Sequence, residues 1–438
     1  MGRYRQIRLH FSLILYLPSN FILMKYKFLF YAGASLVIVL ISSSFSQAQK
    51  LAGMTFSGGK FGGGTIFRIN ADGNQYTNLQ DFQVGTQYPK IILGKDGALY
   101  GTTSVGGSRG LGTIFKMNID GSNYKTLYEF DINSGAPYTR LLQASDGKFY
   151  GIANYSNHQT TLYGINTDGS GFTILKSFGN NDYIGDLYEA IDGKIYALTV
   201  SALGNNFGRI FSINKDGAGY TVVYNFPNGN GAAIQAALIQ DFNGTFYGID
   251  PGGTNNKGII YTLESNGTGF IKIYDFDGQS PESALTIGLD GNLYGGCSGG
   301  QNNSGMIFTI KKDGTGFKKI YDLTISDGNF LNQQLLQDSN GFLYGTTWGG
   351  GLLHAGVIFK IKPDGSNYQK IYDFDNNTSM GQYSGYIIKG NGIIYGVNNY
   401  GAAHGAGNVF SIQFDGTGYT NLHDFGDTLG SNPYGNLI

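Results

Sequence analysis

The chain has 438 residues, 71 of them glycine, with 14% aromatic and only 13% charged residues, a balance that suits an all-β protein with many tight turns. A formal net charge of −1 argues against a nucleic-acid binder. Five bases and no acids fall in the first 48 residues, so the remainder carries 24 bases against 30 acids, about −6, which disfavours electrostatic attachment to an anionic membrane.

Residues 24–48, MKYKFLFYAGASLVIVLISSSFSQA, have the pattern of a secretory signal peptide. Lys25 and Lys27 form the charged region, Phe28–Ile41 the apolar core, and Ser46-Gln47-Ala48 a small-residue cleavage site. Met24 is then the expected start, residues 1–23 an upstream extension, and 49–438 a single exported domain, secreted, periplasmic or cell-surface. An uncleaved anchor is the alternative, but the apolar run falls short of the roughly 20 residues of a spanning helix. Cys297 is the only cysteine and can make no intramolecular disulfide, so stability must come from packing.

From Leu51 onward one unit repeats. Its clearest copy is Leu99–Phe130, LYGTTSVGGSRGLGTIFKMNIDGSNYKTLYEF, and versions begin at Leu51, Phe149, Ile195, Phe246, Leu293, Leu343 and Ile394. The tyrosines Tyr100, Tyr150, Tyr196, Tyr247, Tyr294, Tyr344 and Tyr395 lie 46 to 51 residues apart, a period of propeller blades. Each unit predicts four strands: b at LYGTT (99–103), c at GTIFKMN (112–118), d at YKTLYEF (124–130), and a of the next blade at PYTRLLQA (137–144). In strand c, Phe115 and Met117 share one face and Ile114 takes the other, so the sheet must be covered on both sides, as a blade is by its neighbours.

Loop lengths distinguish the two ends of the array. The strand c aromatic precedes an Asp-Gly or Asn-Gly by 5 residues in every copy, and the a–b turn Asp or Asn precedes the YG tyrosine by 4. These are tight hairpins in which glycine supplies positive φ. The b–c and d–a connections vary in length and share the opposite face, where binding chemistry is expected. The chain opens with a strand b and finishes at Asn432–Ile438, NPYGNLI, which matches strand a. Pairing the two ends predicts eight four-stranded blades closed into a β-propeller, with seven blades as the alternative, and closure removes exposed sheet edges.

The unit LYGTTxxGGxxGxGTIFxxxxDGxxYxxLYxF resembles the GloVer-type tandem repeat of large exported bacterial proteins with assorted C-terminal anchors. Leu99–Phe130 and Leu343–Phe374 carry it nearly intact, while the copies at 149–178 and 195–226 lose the double glycine. The resemblance implies export and a propeller-like fold, and implies no activity or functional residues.

Candidate site residues come from the varied loops. Trp348, the one tryptophan, and Tyr400 and Tyr155 stand outside the repeating aromatic positions and are ligand-binding candidates. His354 and His404 occupy b–c loops of adjacent blades, a polar pair too few in ligands for a metal site. The acids Asp131, Asp277 and Asp375 follow strand d; Asp275-Phe-Asp277-Gly278 with Glu282 lacks calcium-loop spacing. Acids such as Asp81, Glu129, Asp275 and Asp373 at the end of strand d have the simpler task of bonding loop amides. The double glycines precede no Lys-Ser/Thr and no helix, and no cofactor is expected. These features favour a non-catalytic, monomeric binding module for glycan or protein over an extracellular polysaccharide hydrolase or lyase working through loop carboxylates, a chemistry whose outcome depends on carboxylate separation.

Overall fold

The computed structural model describes residues 50–438 apart from 84–89, 156–158, 181, 202–207, 227–237, 251, 255–256, 266–267, 279, 282, 332, 375–387, 391, 427–429 and 434–436. The expected leader (24–48) and upstream extension (1–23) lie outside the described residues. Among the described residues no helix is long and apolar enough to cross a membrane.

Eight antiparallel sheets follow one another, each with its strands in the order a–b–c–d. Blade 2 shows the plan: a at Lys90–Leu93, b at Leu99–Thr103, c at Thr113–Met117 and d at Lys125–Glu129. In every blade a register shift interrupts the c–d ladder, next to the strand c aromatic, adding local twist. Strand a is less regular than the sequence predicts. In blade 3 it breaks into Ala136–Pro137 and Leu142–Gln143, because the Thr139 hydroxyl accepts the Ile152 N–H at 3.2 Å in place of a ladder bond. Ser283 accepts the Gly296 N–H at 2.6 Å in the same way.

The core consists of eight clusters, one between each pair of neighbouring blades. Phe115 and Met117 pack with Ala52, Met54 and Ile66 of blade 1, while Ile114 packs with Phe149 and Tyr163 of blade 3. The YG glycine follows from this packing: a Cβ on Gly101 would lie 2.4 Å from Cζ of Phe115. Both faces of each sheet are thereby dry.

The two ends of the chain share blade 1. Ser431–Pro433 supplies strand a and pairs with strand b, Lys50–Ser57, through Thr55↔Pro433 and Ser57↔Ser431. Ala52 and Ile438 exchange two backbone hydrogen bonds of 2.9 and 3.0 Å, and Leu437 is buried in the cluster between blades 8 and 1. The ring is closed by this seam.

One further device braces each blade from within and another ties neighbouring blades. On the turn face, the YG tyrosine hydroxyl donates to the a–b turn carboxylate, as Tyr100 does to Asp96 at 2.8 Å and Tyr150 to Asp146 at 2.7 Å. In blades 5 and 7, where Asn243 and Asn340 stand four residues before the tyrosine, Tyr247 and Tyr344 reach Asp241 and Asp338 two residues further back, at 3.2 and 3.0 Å. Along the outer edge, the strand d ring of one blade stacks on an aromatic ring of the next: Tyr128 on Phe172, Tyr224 on Phe270, Tyr274 on Phe317, Tyr321 on Tyr368 and Tyr372 on Tyr419, with centroids 3.5 to 4.1 Å apart. Lys176 sits over Tyr220 at the equivalent place between blades 3 and 4. His423 stacks on Tyr76 at the closing seam.

Candidate functional site

The b–c loops and d–a loops share one face of the ring, and the b–c loop has its own internal order. In blade 1 the Gly64 N–H bonds the Gly58 carbonyl at 2.9 Å, and the same pairing recurs from Gly112 to Gly106 and from Gly356 to Gly350. The strand d acid then reaches back to fasten the loop. Asp81 accepts the Lys60 N–H (2.8 Å), Glu129 that of Ser108 (3.1 Å), Asp275 that of Thr254 (3.2 Å), Asp322 that of Gln301 (3.3 Å) and Asp373 that of Leu352 (2.9 Å). These carboxylates are structural parts of the loops.

Blade 7 builds the most distinctive surface. The d–a loop entering it pairs with its b–c loop, Asn329 and Gly349 exchanging backbone hydrogen bonds of 2.8 and 3.2 Å. The approach is close enough that a Cβ on Gly350 would lie 2.6 Å from the Ile325 carbonyl oxygen. The Trp348 N–H bonds the Phe330 carbonyl at 3.1 Å, and the two rings meet edge to face with centroids 5.5 Å apart. Phe330 holds φ of +57° and is 38% exposed. A bulky residue in the left-handed region costs energy that the surrounding loops must supply. Leu352 and Leu353, on the same b–c loop as Trp348, are exposed, and with exposed Tyr400 of blade 8 and Phe56 and Phe61 of blade 1 they place apolar side chains along an arc of three consecutive blades.

Trp348 and Tyr400 thus fall on one arc, Trp348 half-buried and Tyr400 exposed. His354 and His404 are exposed on the b–c loops of blades 7 and 8, and among the described residues no group of three metal-ligating side chains occurs. Tyr155 lies on the other side of the ring, its hydroxyl donating to the Asn133 carbonyl at 2.5 Å. Asp131 belongs to the same neighbourhood, where it pairs with Arg109 and accepts from the Asn133 and Ser134 N–H groups at 2.9 and 3.0 Å. Burial works against its ionisation, yet the bonds from Ser134 and Asn133 and the Arg109 charge hold its carboxyl below the usual range. Asp277 is exposed in the d–a loop after blade 5, and Asp375 and Glu282 lie outside the described residues.

Other acids of the face are also held ionised: Glu129 by Ser108, and Asp275 by Lys272 and Thr254. Asp250 behaves differently, and the sequence reading missed it. Where Thr55, Thr103 and Thr347 end strand b with a hydroxyl that accepts a strand c N–H, blade 5 places Asp250, only 4% exposed. Its Oδ1 accepts the Gly252 N–H at 2.5 Å, and burial pushes its carboxyl up to about 6. The signal was a carboxylate at a position where the other copies carry small neutral groups. On the opposite face the a–b turns of three successive blades present Ile191, Phe242 and Leu289 to solvent, 62%, 85% and 72% exposed, so the uniform face also carries apolar surface.

The family model described as the Gloeobacter/Verrucomicrobia repeat matches residues 26–186 and 183–385. No curated protein matches the sequence. Among solved structures, a puromycin-hydrolyzing peptidase of Mycobacterium tuberculosis is 10% identical with a TM-score of 0.52, over 81% of this chain and 58% of its own. Dipeptidyl peptidase 4 of Porphyromonas gingivalis is 11% identical with a TM-score of 0.50, over 77% of this chain and 54% of its own. The chain thus spans little more than half of either peptidase. The periplasmic gluconolactonase PpgL of Pseudomonas aeruginosa is 13% identical with a TM-score of 0.47, over 89% of this chain and 98% of its own. The likeness to the two peptidases, at this identity, is one of fold alone.

Proposed function

The chain belongs to the Gloeobacter/Verrucomicrobia repeat family, and from that premise we propose that it is an exported, non-catalytic binding module whose loop face engages a partner. The observation that carries this reading is the Phe330–Trp348 pair, held by two interlocked loops with one residue in a strained conformation, with exposed Leu352 and Leu353 on the same b–c loop and Tyr400 on that of the next blade. A rigid aromatic centre with apolar neighbours is the usual anatomy of a protein-binding hot spot. A sugar would stack on the rings but would gain little from two exposed leucines, so a protein partner fits the arc better than a glycan. The loop acids support the non-catalytic reading, since Asp81, Glu129, Asp275, Asp322 and Asp373 are engaged by loop amides and Asp131 by Arg109.

The test is a panel of glycans and of peptides from surface proteins, probed with the full chain and with Trp348→Ala. Selective binding that the variant loses supports the loop face as the site; binding that it keeps moves the site elsewhere. The alternative, an extracellular polysaccharide hydrolase or lyase, has one observation in its favour: Asp250, a carboxyl raised to about 6, is suited to proton transfer. Polysaccharide turnover abolished by Asp250→Asn would overturn the binding-only reading.

A further inference from the structure

The outer-edge stacks are made of tyrosine and phenylalanine, or of lysine on tyrosine, except at the place where the ring closes. There the strand d residue of blade 8 is His423, its imidazole parallel to the Tyr76 ring at 3.5 Å and 7°. This interface faces the one blade assembled from both ends of the chain, whose strand a is held to strand b only by hydrogen bonds and packing. His423 Nε2 is buried and has no hydrogen-bond partner among the described residues. A proton placed on it would find no acceptor.

We propose that His423 is an acid-sensitive clasp: neutral, it seals blade 8 against blade 1, and protonated, it loosens that seam ahead of the others. The groups around it define the balance. Asp424, next on its own strand, favours the charged form, and Phe425 lies edge-on at 4.9 Å. Its ladder partner on strand c is Val409, which carries no charge. From blade 1 it meets the Tyr76 phenol, on which Asp81 acts in turn, and the His404 ring packs over nearby Gly426. A charged imidazole would keep a cation–π attraction to Tyr76. Burial outweighs the Asp424 charge, bringing the imidazole from 6.5 down to about 4.

The sign follows from linkage. An open seam takes up a proton below pH 6.5 and the closed one only near 4, so closure is at full strength above 6.5 and weakens progressively between these values. From pH 7 to 4.5 the open-to-closed ratio of the seam should rise roughly ten- to a hundredfold.

Hydrogen exchange of the full chain, compared strand by strand at each pH, tests this. The expected result is a selective loss of protection at pH 4.5 in Lys50–Ser57, Thr420–Asp424 and Ser431–Pro433, absent from His423→Tyr, which installs the ring found in blades 6 and 7. Equal loss in all blades, or the same acid response in His423→Tyr, overturns the proposal. Should that variant fail to fold, NMR titration of His423 in the unaltered chain decides: a midpoint near 4 supports the clasp, and one near 6.5 overturns it.

Discussion

The Asp373 carboxylate accepts the backbone N–H of Leu352, 21 residues earlier, at 2.9 Å, and so fastens the loop that carries Trp348 and His354 to the outer strand of blade 7. The same offset joins Asp81 to Lys60 and Glu129 to Ser108. Asp373→Ala should therefore cost about 1–2 kcal/mol, the value of a charge-assisted hydrogen bond at a partly exposed site. Hydrogen exchange should show the loss confined first to the b–c loop of blade 7; unchanged protection there would refute the fastening role.

Trp348 is the only tryptophan, so its emission reports on one loop. Removing the edge contact in Phe330→Ala should shift that emission to longer wavelength as water reaches the indole. A spectrum like that of the unaltered chain would mean that the pair does not shield Trp348.

Blades 3 and 5 carry tyrosine where the other strand c positions carry phenylalanine, and the Tyr163 and Tyr261 hydroxyls are buried with no partner among the described residues. A buried hydroxyl without a partner costs stability. Tyr163→Phe and Tyr261→Phe should raise the thermal midpoint or leave it unchanged, with gains of about 0–2 kcal/mol each. A clear fall in midpoint would show that the hydroxyls are satisfied.

Gly101→Ala should be far more damaging than its size suggests, because the new methyl would lie 2.4 Å from Phe115 Cζ and force the ring or strand aside. The expected cost is about 1–3 kcal/mol, typical of overpacking. Blade 4 offers the internal comparison, since Ala197 already occupies this position opposite Phe211, so Ala197→Gly should cost little. Equal costs at the two positions would contradict the steric account.

Asp250 sets a pH dependence opposite in sign to that of His423. Its folded carboxyl titrates near 6 instead of 3.8, so its contribution is intact below 3.8 and is lost as pH rises through 6. Asp250→Asn, which keeps an acceptor for the Gly252 N–H, should stabilise the chain by about 3 kcal/mol at pH 8 and by about 0.5 kcal/mol at pH 4. Denaturant titrations of both proteins at the two pH values measure this, and a gain independent of pH would exclude burial of the charge as its cause.

The number of blades, the order of strands, the alternation of Phe115 and Ile114 across strand c and the mixed closing blade were all legible in the residues. Each depends on hairpins whose partners lie close in sequence, and strand periodicity with fixed Asp-Gly turns encodes such pairings directly. The break in strand a was not legible, because Thr139 reads as an ordinary strand residue until its hydroxyl is seen to accept the Ile152 N–H.

The candidate site was legible only in part. Trp348 and Tyr400 stood out as aromatics off the repeat, but Phe330 did not: its place beside Trp348 depends on two loops from different repeats meeting over the rim. The burial of Asp250 and the seating of His423 on Tyr76 were likewise decided by the closed ring. Sequence alone determined a ring of interchangeable β-blades, since hydrogen-bonded hairpins are local. Which carboxylates stay ionised, which rings face solvent and which imidazole is buried against Tyr76 were settled by the tertiary structure, because desolvation and contact between blades are properties of the assembled ring.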